Sequence, residues 1–376
     1  MSEPDRRRFL LGVAALGAGS LHALETSEIR TAFIGVGNRG KELLRQVLNQ
    51  ASAPVAAICD TNPTARDEAQ GLASRYSPRS LTEWRRVVDM KDVDAVMIAT
   101  PCNLHAEMAA ACLDAGKYVY CEKPLGITAE EVDRVVKAAR RSKAFLQIGQ
   151  QMRYYPWLQG AIPHIHNGLI GKPLIIKAQR HSTATPEQEK GHLPEWYFDP
   201  RISGDRIVEN GVHNLDVCNW IAGSLPVSVY GFGKTYLPKP KPPGEEYMDA
   251  YSVMYMYENE VNLTYSEAKL HPRALKELAN GQWYVIFGEK GAVTIKRGSA
   301  LFYEMSSESE PRELLTAEQQ NAKEDAMGDF FASIREKKQP LAGLRVAATA
   351  ALTTIMGRKA IYERRMVTWK ELGVSI

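Results

Sequence analysis

The chain has 376 residues, of which 44% are hydrophobic and 24% are charged, the balance of an ordinary globular protein. Its net charge is only +3, with no basic stripe interleaved with aromatic side chains, which argues against nucleic acid as a partner. The length exceeds the range over which one hydrophobic core keeps growing, so we expect two domains, and a small substrate with little or no charge.

Residues 1–27 are predicted to be an export signal. Three consecutive arginines, beginning at Arg6, precede an uncharged run from Leu10 to Leu24 that is rich in Leu, Ala, Val and Gly. This run is shorter than the roughly 20 residues of a membrane-spanning helix, which indicates a signal and no stable membrane insertion. Paired arginines followed by Phe-Leu are typical of the twin-arginine route for folded bacterial cargo, although an ordinary secretory signal also begins with basic residues. We therefore expect a periplasmic or otherwise exported protein.

The next segment, residues 28–150, begins as a dinucleotide-binding domain. A predicted strand over 29–34 leads into the glycine-rich run Gly35-Val36-Gly37-Asn38-Arg39-Gly40 and then a helix over 41–49. Glycines at these places permit a sharp turn and a close approach to pyrophosphate, and the amides at the helix start face the phosphates. The run therefore predicts a cofactor cradle.

Asp60 strengthens this prediction, because it ends the next apolar strand, 55–59, and lies 20 residues beyond Gly40. An acidic residue at this place binds the ribose 2′-hydroxyl. It repels a 2′-phosphate, which favours NAD over NADP, and NADP stays open because Arg66 lies nearby.

Strands and helices continue to alternate up to residue 150, with strands predicted over 95–100, 118–121 and 145–149 and helices over 104–115 and 129–142. The pattern predicts an α/β fold with a doubly wound parallel sheet. Ligands of such sheets bind outside the carboxyl ends of the strands. The candidates at these ends are Thr100, Pro101, Asn103, His105, Glu122, Lys123, Gln151 and Arg153.

Lys123 is the most informative residue of this group. Desolvation beside a nicotinamide would lower the pKa of the lysine, which could then hydrogen-bond a substrate hydroxyl. A surface lysine that follows a strand is the alternative, and the spacing favours neither. His105 has a similar alternative as a cap or core residue of the following helix.

Two further groups of residues are not expected to bind a metal. The five cysteines form no CxxC pair, and folding in the reducing cytosol would leave them as buried thiols; they are Cys59, Cys102, Cys112, Cys121 and Cys218. His181, His192 and His213, with Glu209 and Asp216, are metal-ligand types whose spacing matches no zinc pattern such as HExxH. We expect no metal site.

Residues 151–345 are predicted to form an α+β domain. A helix over 158–167 is followed by segments rich in Val, Tyr and Ile, which predict a large, mostly antiparallel sheet. These segments are 173–181, 227–236, 249–257, 261–269, 283–287 and 292–296. The helix over 345–364 begins a terminal unit, 346–376, that we expect to pack back on the first domain.

A stretch without periodicity lies between His181 and Asp205. Loops of this length inside compact domains are usually functional, and aromatic faces beside polar groups suit a sugar ring. We therefore expect His181, Trp196, Tyr197 and Arg206 to shape a substrate pocket. A buried loop plug or an oligomer contact is the alternative.

After the leader, the chain resembles the Gfo/Idh/MocA oxidoreductases, a family of sugar, inositol and related dehydrogenases. The resemblance is carried by the run 35–40, Thr100-Pro101 with His105, Glu122-Lys123-Pro124, and Val208-Glu209-Asn210-Gly211-Val212-His213 with Asp216. It implies a Rossmann domain followed by a domain whose large open sheet supplies the substrate face and often the oligomer interface. We therefore expect a homo-oligomer, either a dimer or a tetramer.

The resemblance also implies the roles of the site residues. Lys123 corresponds to the family's active-site lysine, and His213 to the histidine that accepts the proton of the hydroxyl being oxidised. The family usually has Asp four residues before that histidine, where Glu209 stands here; its longer side chain could orient the imidazole, as one helical turn allows, or contact the sugar or the lysine.

Further roles follow from the same resemblance. Glu122 would contact the nicotinamide ribose, and Pro124 would follow a bent peptide, with the cis form as one option. Asn103 and His105 would line the cofactor, together with Thr100, Pro101 and Gln151. Arg153, Tyr154 and Asn210 would contact the substrate.

Together these residues imply an NAD-dependent oxidoreductase for a sugar or polyol. Outside the cytosol a reduced cofactor has no pool in which to be reoxidised, so the hydride must return while the cofactor stays bound. A second carbonyl substrate could take it back.

Alternatively, a redox-neutral glycosidase would oxidise C3, eliminate the aglycone, add water and reduce the ketone, with Tyr154, Glu209 or His181 as the base at C2. A cofactor-loaded binding protein is the third reading, and the presence of both Lys123 and His213 counts against it.

Overall fold

The computed structural model describes residues 28–183, 194–236, 247–272 and 281–376. The predicted leader and His192 lie outside these ranges, so their expected roles are not addressed by the fold.

Six strands form the first sheet: β1 (Thr31–Ile34), β2 (Val55–Cys59), β3 (Arg79–Leu81), β4 (Ala95–Ile98), β5 (Tyr118–Cys121) and β6 (Leu146–Ile148). Their order is β3-β2-β1-β4-β5-β6, and every pairing is parallel. The order reverses between β1 and β4, as in a doubly wound sheet, which confirms the predicted fold class. Strand β3 was not predicted, because two of its three residues are exposed and it has no apolar run.

Helices α1 (Asn38–Leu48), α2 (Pro63–Leu72), α3 (Arg85–Asp89), α4 (His105–Asp114) and α5 (Ala129–Arg141) flank this sheet. Helix α1 buries Gly40, Leu43, Leu44 and Val47, whose spacing places them on one helical face. Helix α5 begins after Thr128, whose side chain accepts a hydrogen bond from a first-turn amide. The helices confirm the alternation read from the sequence.

Nine strands form the second sheet, which confirms the large open sheet. They are β7 (Pro173–His181), β8 (Pro226–Lys234), β9 (Ala250–Tyr257), β10 (Asn262–Ala268), β11 (Gly281–Gly288), β12 (Gly291–Lys296), β13 (Ser299–Glu304), β14 (Arg312–Glu313) and β15 (Val367–Thr368). The order is β14-β13-β12-β11-β7-β10-β9-β8-β15. Among the described strands of this second sheet, only the central β7–β10 pair is parallel.

The two faces of this sheet differ in polarity and burial. The inner face buries a row of tyrosines, Tyr251, Tyr255, Tyr265 and Tyr284. The outer face exposes large apolar side chains at the alternate positions, among them Ile175, Tyr230, Phe232, Met254, Met256 and Phe287.

The remaining helices are α6 (Pro156–His166), α7 (Pro200–Ser203), α8 (Asp205–Glu209), α9 (Val212–Ala222), α10 (Ala317–Asn321), α11 (Ala326–Glu336) and α12 (Leu344–Glu363). Short 3₁₀ segments occupy Ser74–Tyr76, Cys102–Leu104, Gln151–Tyr154, Glu195–Phe198 and Trp369–Leu372. Across the ranges given above, no helix has the length and apolar character to span a membrane. All five cysteines are buried free thiols, as predicted.

Helix α11 departs from the predicted domain layout. Met327, Phe330 and Phe331 pack in one apolar cluster with Phe33 and Leu43 of the first domain. Residues 326–336 thus belong spatially to the first domain, although they follow the second sheet in the chain. Apolar residues at helical spacing reveal that a face is buried, but not which domain buries it.

The expectation for the terminal unit was incomplete. Helix α12 contacts α5 and β6 of the first domain, and also α8, α9 and β8 of the second. Strand β15 then pairs with β8 in the second sheet. Arg358 on α12 donates from Nη2 to Ile127 O over 2.6 Å and from Nη1 to Gly204 O over 3.0 Å. The helix therefore joins the two domains rather than packing on one.

Candidate active site

The glycine-rich turn has the geometry of a phosphate cradle. Gly35 has φ +84°, and a Cβ there would lie 2.5 Å from Ala99 O. A Cβ at Gly40 would lie 2.1 Å from Gly35 O, whereas a Cβ at Gly37 would meet nothing within 4 Å. Two glycines are therefore required by packing, and the third leaves the backbone open to a ligand.

The groups beside this turn fit a dinucleotide. Gly37 caps helix α1 without a side-chain hydrogen bond, so the first amides are not satisfied by a cap. Asp60 lies directly alongside, where its carboxylate accepts hydrogen bonds from Val36 N at 2.7 Å and from Asn62 N at 2.8 Å. Arg66 donates to the carbonyl of Asp60 over 2.6 Å, which places a cation next to the expected ribose position.

Glu122 is held at the end of β5 by Arg39, whose Nε lies 2.7 Å from Oε1. Gly149 leaves room for this carboxylate, since a Cβ there would lie 2.7 Å from Oε2. Gln151 contacts the guanidinium of Arg39, and both residues line a cleft of about 1170 Å³. The structure thus brings three of the predicted cofactor residues together.

His105 has a structural role, and its expected contact with the cofactor was wrong. The ring is 1% exposed, with Nδ1 2.8 Å from Pro124 O and Nε2 2.9 Å from Thr100 O. Both nitrogens are therefore occupied by backbone carbonyls. The imidazole ties the loop after β4 to the loop that carries Lys123, and the Lys123–Pro124 peptide is cis.

The other predicted cofactor residues of the loop after β4 lie at the end of that strand. Thr100 and Pro101 are half-buried at the end of β4, and the Thr100 hydroxyl faces Met108 Sδ at 3.7 Å. Asn103 Oδ1 is buried and has no hydrogen-bond partner among the described residues. A buried amide oxygen without a partner suits a site that receives a ligand donor.

Lys123 and Glu209 form the centre of the site. The ammonium of Lys123 pairs with the carboxylate of Glu209 and donates to its carbonyl oxygen over 2.8 Å. Burial alone would raise the pKa of Glu209, but Lys123 holds it below its ordinary value. Of the three contacts open to Glu209, the structure selects the lysine.

The expected sharing of one helical face by Glu209 and His213 was wrong. Helix α8 ends at Glu209, and α9 begins at Val212. A Cβ at Gly211, between the two helices, would lie 2.2 Å from the hydroxyl of Tyr251. Among the described residues no hydrogen bond joins Glu209 to His213, whose buried Nδ1 has no partner, so Glu209 does not orient the imidazole.

His213 stands at the start of α9 with its ring half-buried. Nδ1 is buried without a hydrogen-bond partner in the described part of the chain. Burial, followed by the charges of Lys123 and Arg180, lowers the pKa of His213 well below its ordinary value of 6.5. The imidazole is therefore neutral near pH 7 and able to accept a proton.

Tyr197 and Asn210, both predicted to contact the substrate, lie beside this centre. Asn210 Nδ2 donates to the Tyr197 hydroxyl over 3.1 Å, and the Tyr197 hydroxyl also interacts with the carboxylate of Glu209. Trp196 is half-buried, with its ring centroid 6.1 Å from that of Tyr197. The aromatic segment therefore reaches the site mainly through Tyr197.

His181 lies on the wrong face of the second sheet for a pocket residue. Its Nε2 is 2.9 Å from Ser266 Oγ, on the same outer side as Met254. Neighbouring residues of a strand point to opposite faces, so Arg180, not His181, faces the catalytic side. This excludes His181 as a base in the described conformation.

Two other predicted substrate residues bind buried partners inside the protein. Arg153 donates from Nε and Nη2 to the buried carboxylate of Asp216 over 2.9 and 2.8 Å. The Tyr154 hydroxyl donates to Asp329 over 2.8 Å and accepts from Ala342 N. Their expected contact with substrate was wrong, because buried partners take up both side chains.

Arg206 is also a correction, since its side chain has no exposed surface. Its Nε donates to Met248 O over 2.9 Å, and its Nη1 lies 3.7 Å from a carboxylate oxygen of Glu267. The residue braces the polar core behind the site. No cluster of three or more His, Cys, Asp or Glu side chains suited to a metal occurs within the described ranges.

Arg180 was missed by the sequence analysis. It pairs in register with Glu267 on β10 and Gln282 on β11, and its charge acts on both His213 and Glu209. The sequence contains a sign of its role, because Arg180 continues the buried face of β7 that Ile176 and Ala178 begin. A charged side chain on a core-facing position usually has a partner or a function.

Comparison with known proteins agrees with this geometry. Residues 29–150 match the family model of the GFO/IDH/MocA oxidoreductases with an NAD-binding Rossmann fold. Residues 161–294 match the model of the GFO/IDH/MocA C-terminal domain.

Individual relatives are similar over part of the chain. An inositol 2-dehydrogenase from Salmonella paratyphi B is 30% identical over 215 residues, which cover 56% of this chain and 58% of that protein. A glycosyl hydrolase family 109 protein from Stenotrophomonas maltophilia is 29% identical over 230 residues, covering 57% and 49%. The chain thus matches only about half the length of such relatives. The solved structure of a levoglucosan dehydrogenase with NADH has the same fold, with a TM-score of 0.75 at 21% identity, covering 91% of this chain and 99% of that one.

Proposed function

Because the chain belongs to the Gfo/Idh/MocA family of NAD-binding oxidoreductases, we propose that it oxidises a hydroxyl of a sugar or polyol. The observation that carries the proposal is the Lys123–Glu209 ion pair at the carboxyl end of the first sheet, close enough to His213 for the charge of Lys123 to lower the pKa of its imidazole. Lys123 follows β5 of the first domain. Glu209 is the last residue of α8, and His213 lies in the first turn of α9, both in the second domain. A paired lysine beside a neutral imidazole is suited to proton transfer from a hydroxyl.

The residues that would hold NAD are those of the cradle. Gly37 and the first amides of α1 suit the pyrophosphate, Asp60 the adenosine ribose, and Glu122 the second ribose. When bound, the nicotinamide supplies the hydride acceptor. His213 takes the hydroxyl proton, Lys123 donates a hydrogen bond to the developing alkoxide, and Glu209 positions Lys123.

We further propose that the protein is exported in the folded state with its cofactor bound. The arginines that begin at Arg6 support this route, since twin-arginine cargo folds before it crosses the membrane. Because no reduced-cofactor pool exists outside the cytosol, the hydride must return to a carbonyl compound before the cycle ends.

Mass spectrometry and absorbance of protein purified from the exported fraction test this proposal. We expect about one nicotinamide cofactor per chain, retained through gel filtration and reduced on addition of a sugar substrate. A variant with Arg6 and Arg7 replaced by Lys should stay in the cytosol with its cofactor. Exported protein that lacks cofactor would refute retention, and loaded protein that no sugar or polyol reduces would refute the oxidoreductase.

Similarity to the glycosyl hydrolase family 109 protein favours a second candidate, a redox-neutral glycosidase. Of the bases considered for C2, Tyr154 is bonded to Asp329 and His181 faces the outer side of the sheet, which leaves Glu209. Incubating the loaded protein with aryl glycosides in heavy water separates the two functions. Deuterium at C2 of the released sugar supports elimination, and intact glycoside with a reduced cofactor supports the dehydrogenase.

A homo-oligomer is also proposed, formed through the outer face of the second sheet. Tyr230 pairs in register with Met254, Phe287 with Ile175, and all four side chains are exposed in the single chain. Contiguous apolar surface of this kind usually marks a protein interface. Light scattering should give the mass of a dimer or tetramer, and a Phe232→Lys, Met254→Lys variant should shift toward the monomer.

A further inference from the structure

We propose that Arg180 selects a sugar that carries an anionic group, a carboxylate or a phosphate. This inference rests on the oxidoreductase function proposed above and names the class of its substrate. It concerns a residue of the second sheet to which no catalytic step has been assigned.

Arg180 is placed where a substrate would meet the catalytic groups. It lies on β7 between Glu267 and Gln282, and these three positions face the inner side of the sheet. Gln282 lines the cleft, as does Tyr155. Burial and Glu324 raise the pKa of Tyr155, and the charges of Arg297, Arg180 and Arg39 oppose that rise. The charge of Arg180 thus acts both on Tyr155 of the cleft and on the imidazole of His213.

The charges of this region do not balance. The ammonium of Lys123 is paired with Glu209, and the guanidinium of Arg206 faces Glu267. Arg180 is the third cation beside two carboxylates, which leaves the group of five with one positive charge. Among the residues that the structure describes, no hydrogen bond or ion pair engages the Arg180 guanidinium.

A half-buried guanidinium without a partner is unfavourable in free energy unless a ligand hydrogen-bonds to it. Arg180 is half-buried, and burial alone would lower its pKa, but Glu267 and its other neighbours raise it, so the charge persists. A planar guanidinium binds carboxylate or phosphate oxygens in pairs, more strongly than it binds neutral hydroxyls. A sugar with an anionic substituent would supply the missing charge at this point.

The cleft itself carries charges of both signs. Arg297 and Lys323 also line it, against the acidic side chains of Glu324 and Asp325, while Arg39 is already paired with Glu122. The two cations and the two carboxylates offset one another, so these four lining residues add no net positive charge.

Cofactor reduction in the loaded, full-length protein tests the inference. The probes are D-glucuronate and D-galacturonate for the carboxylate, glucose 6-phosphate for the phosphate, and D-glucose and D-galactose as neutral counterparts. We expect at least about tenfold higher kcat/KM for one anionic class. Arg180→Gln should lower that value by about 100-fold and leave the neutral sugars within a few-fold. Arg180→Lys should have an intermediate kcat/KM, because lysine keeps the positive charge but cannot bind an anion through two parallel hydrogen bonds.

Arg86→Gln is the control, since it removes one positive charge from an exposed position of α3; its activity should equal that of the wild type. Equal activity on charged and neutral sugars in the wild type would overturn the inference. So would an equal loss on both in Arg180→Gln, which would show that Arg180 acts only through the electrostatics of His213.

A binding measurement separates this inference from the proposed function. Thermal shift of the same proteins with each probe reports binding without turnover. Stabilisation by an anionic sugar that disappears in Arg180→Gln, without cofactor reduction, would uphold the anion site and refute the oxidoreductase. Reduction by neutral sugars alone would uphold the oxidoreductase and refute the anion site.

Discussion

Replacing Lys123 by Met lowers kcat/KM for sugar oxidation by about 10³-fold or more, because the developing alkoxide loses its charged hydrogen-bond donor. The substitution keeps the length of the side chain and removes its charge. Steady-state kinetics on loaded protein measure the loss. The amount of bound NAD should remain that of the wild type, because Lys123 lies at the reacting end of the cofactor and not at the phosphate cradle.

Stability has to be separated from chemistry in this variant. Glu209 is 7% exposed, so Lys123→Met leaves a buried carboxylate without its partner, at a cost of about 3–5 kcal/mol in the free energy of unfolding. The double variant Lys123→Met, Glu209→Gln removes that charge and should recover much of the stability in denaturant unfolding. It should not recover activity. A double variant that regains both would show that the pair only stabilises the fold.

Replacing His213 by Gln is the second large effect, a fall of about 10²- to 10⁴-fold in kcat/KM, since the base for the hydroxyl proton is lost. Its signature is in the pH profile. The pKa of His213 is lowered below 6.5, so the wild-type imidazole stays neutral as pH falls to 6.5 and becomes protonated only below it. We expect wild-type activity to hold to below pH 6.5 and then decline.

The control for this assignment is the shape of the His213→Gln profile. The acidic decline should disappear, because Glu209 has a lowered pKa and remains ionised over the same range. An unchanged decline would assign it to another group and contradict the role of His213. Asn214→Ala tests position, since Asn214 follows His213 and donates to the Tyr284 hydroxyl at 2.8 Å; it should lower activity moderately and keep the decline.

The parts of the site that the sequence predicts well are those made by consecutive residues. The run 35–40, Asp60 and the Glu122-Lys123-Pro124 turn each carry their geometry within a few residues of a strand end. The doubly wound sheet follows from the same local alternation. Resemblance to the family then named His213, which no local pattern distinguishes.

The predictions that failed concern side chains whose partners lie in distant segments of the chain. His105 reaches two carbonyls that only the folded loops bring together, and Arg153 finds Asp216 63 residues away. Tyr154 finds Asp329 at a separation of 175 residues. Arg180 and His181 are neighbours in the chain, and only the pairing of β7 shows that the first faces the site and the second does not.

The position of helix α12 has a consequence for biosynthesis. Lys123 and Glu209 come from different domains. Arg358 donates hydrogen bonds to a carbonyl of each domain, Ile127 O in the first and Gly204 O in the second. Residues 344–363 follow both Lys123 and Glu209 in the chain, so the contacts of this helix with the two domains form only after the catalytic pair has been synthesised. A chain that ends before residue 344 would therefore contain Lys123 and Glu209 but lack the helix that joins their two domains.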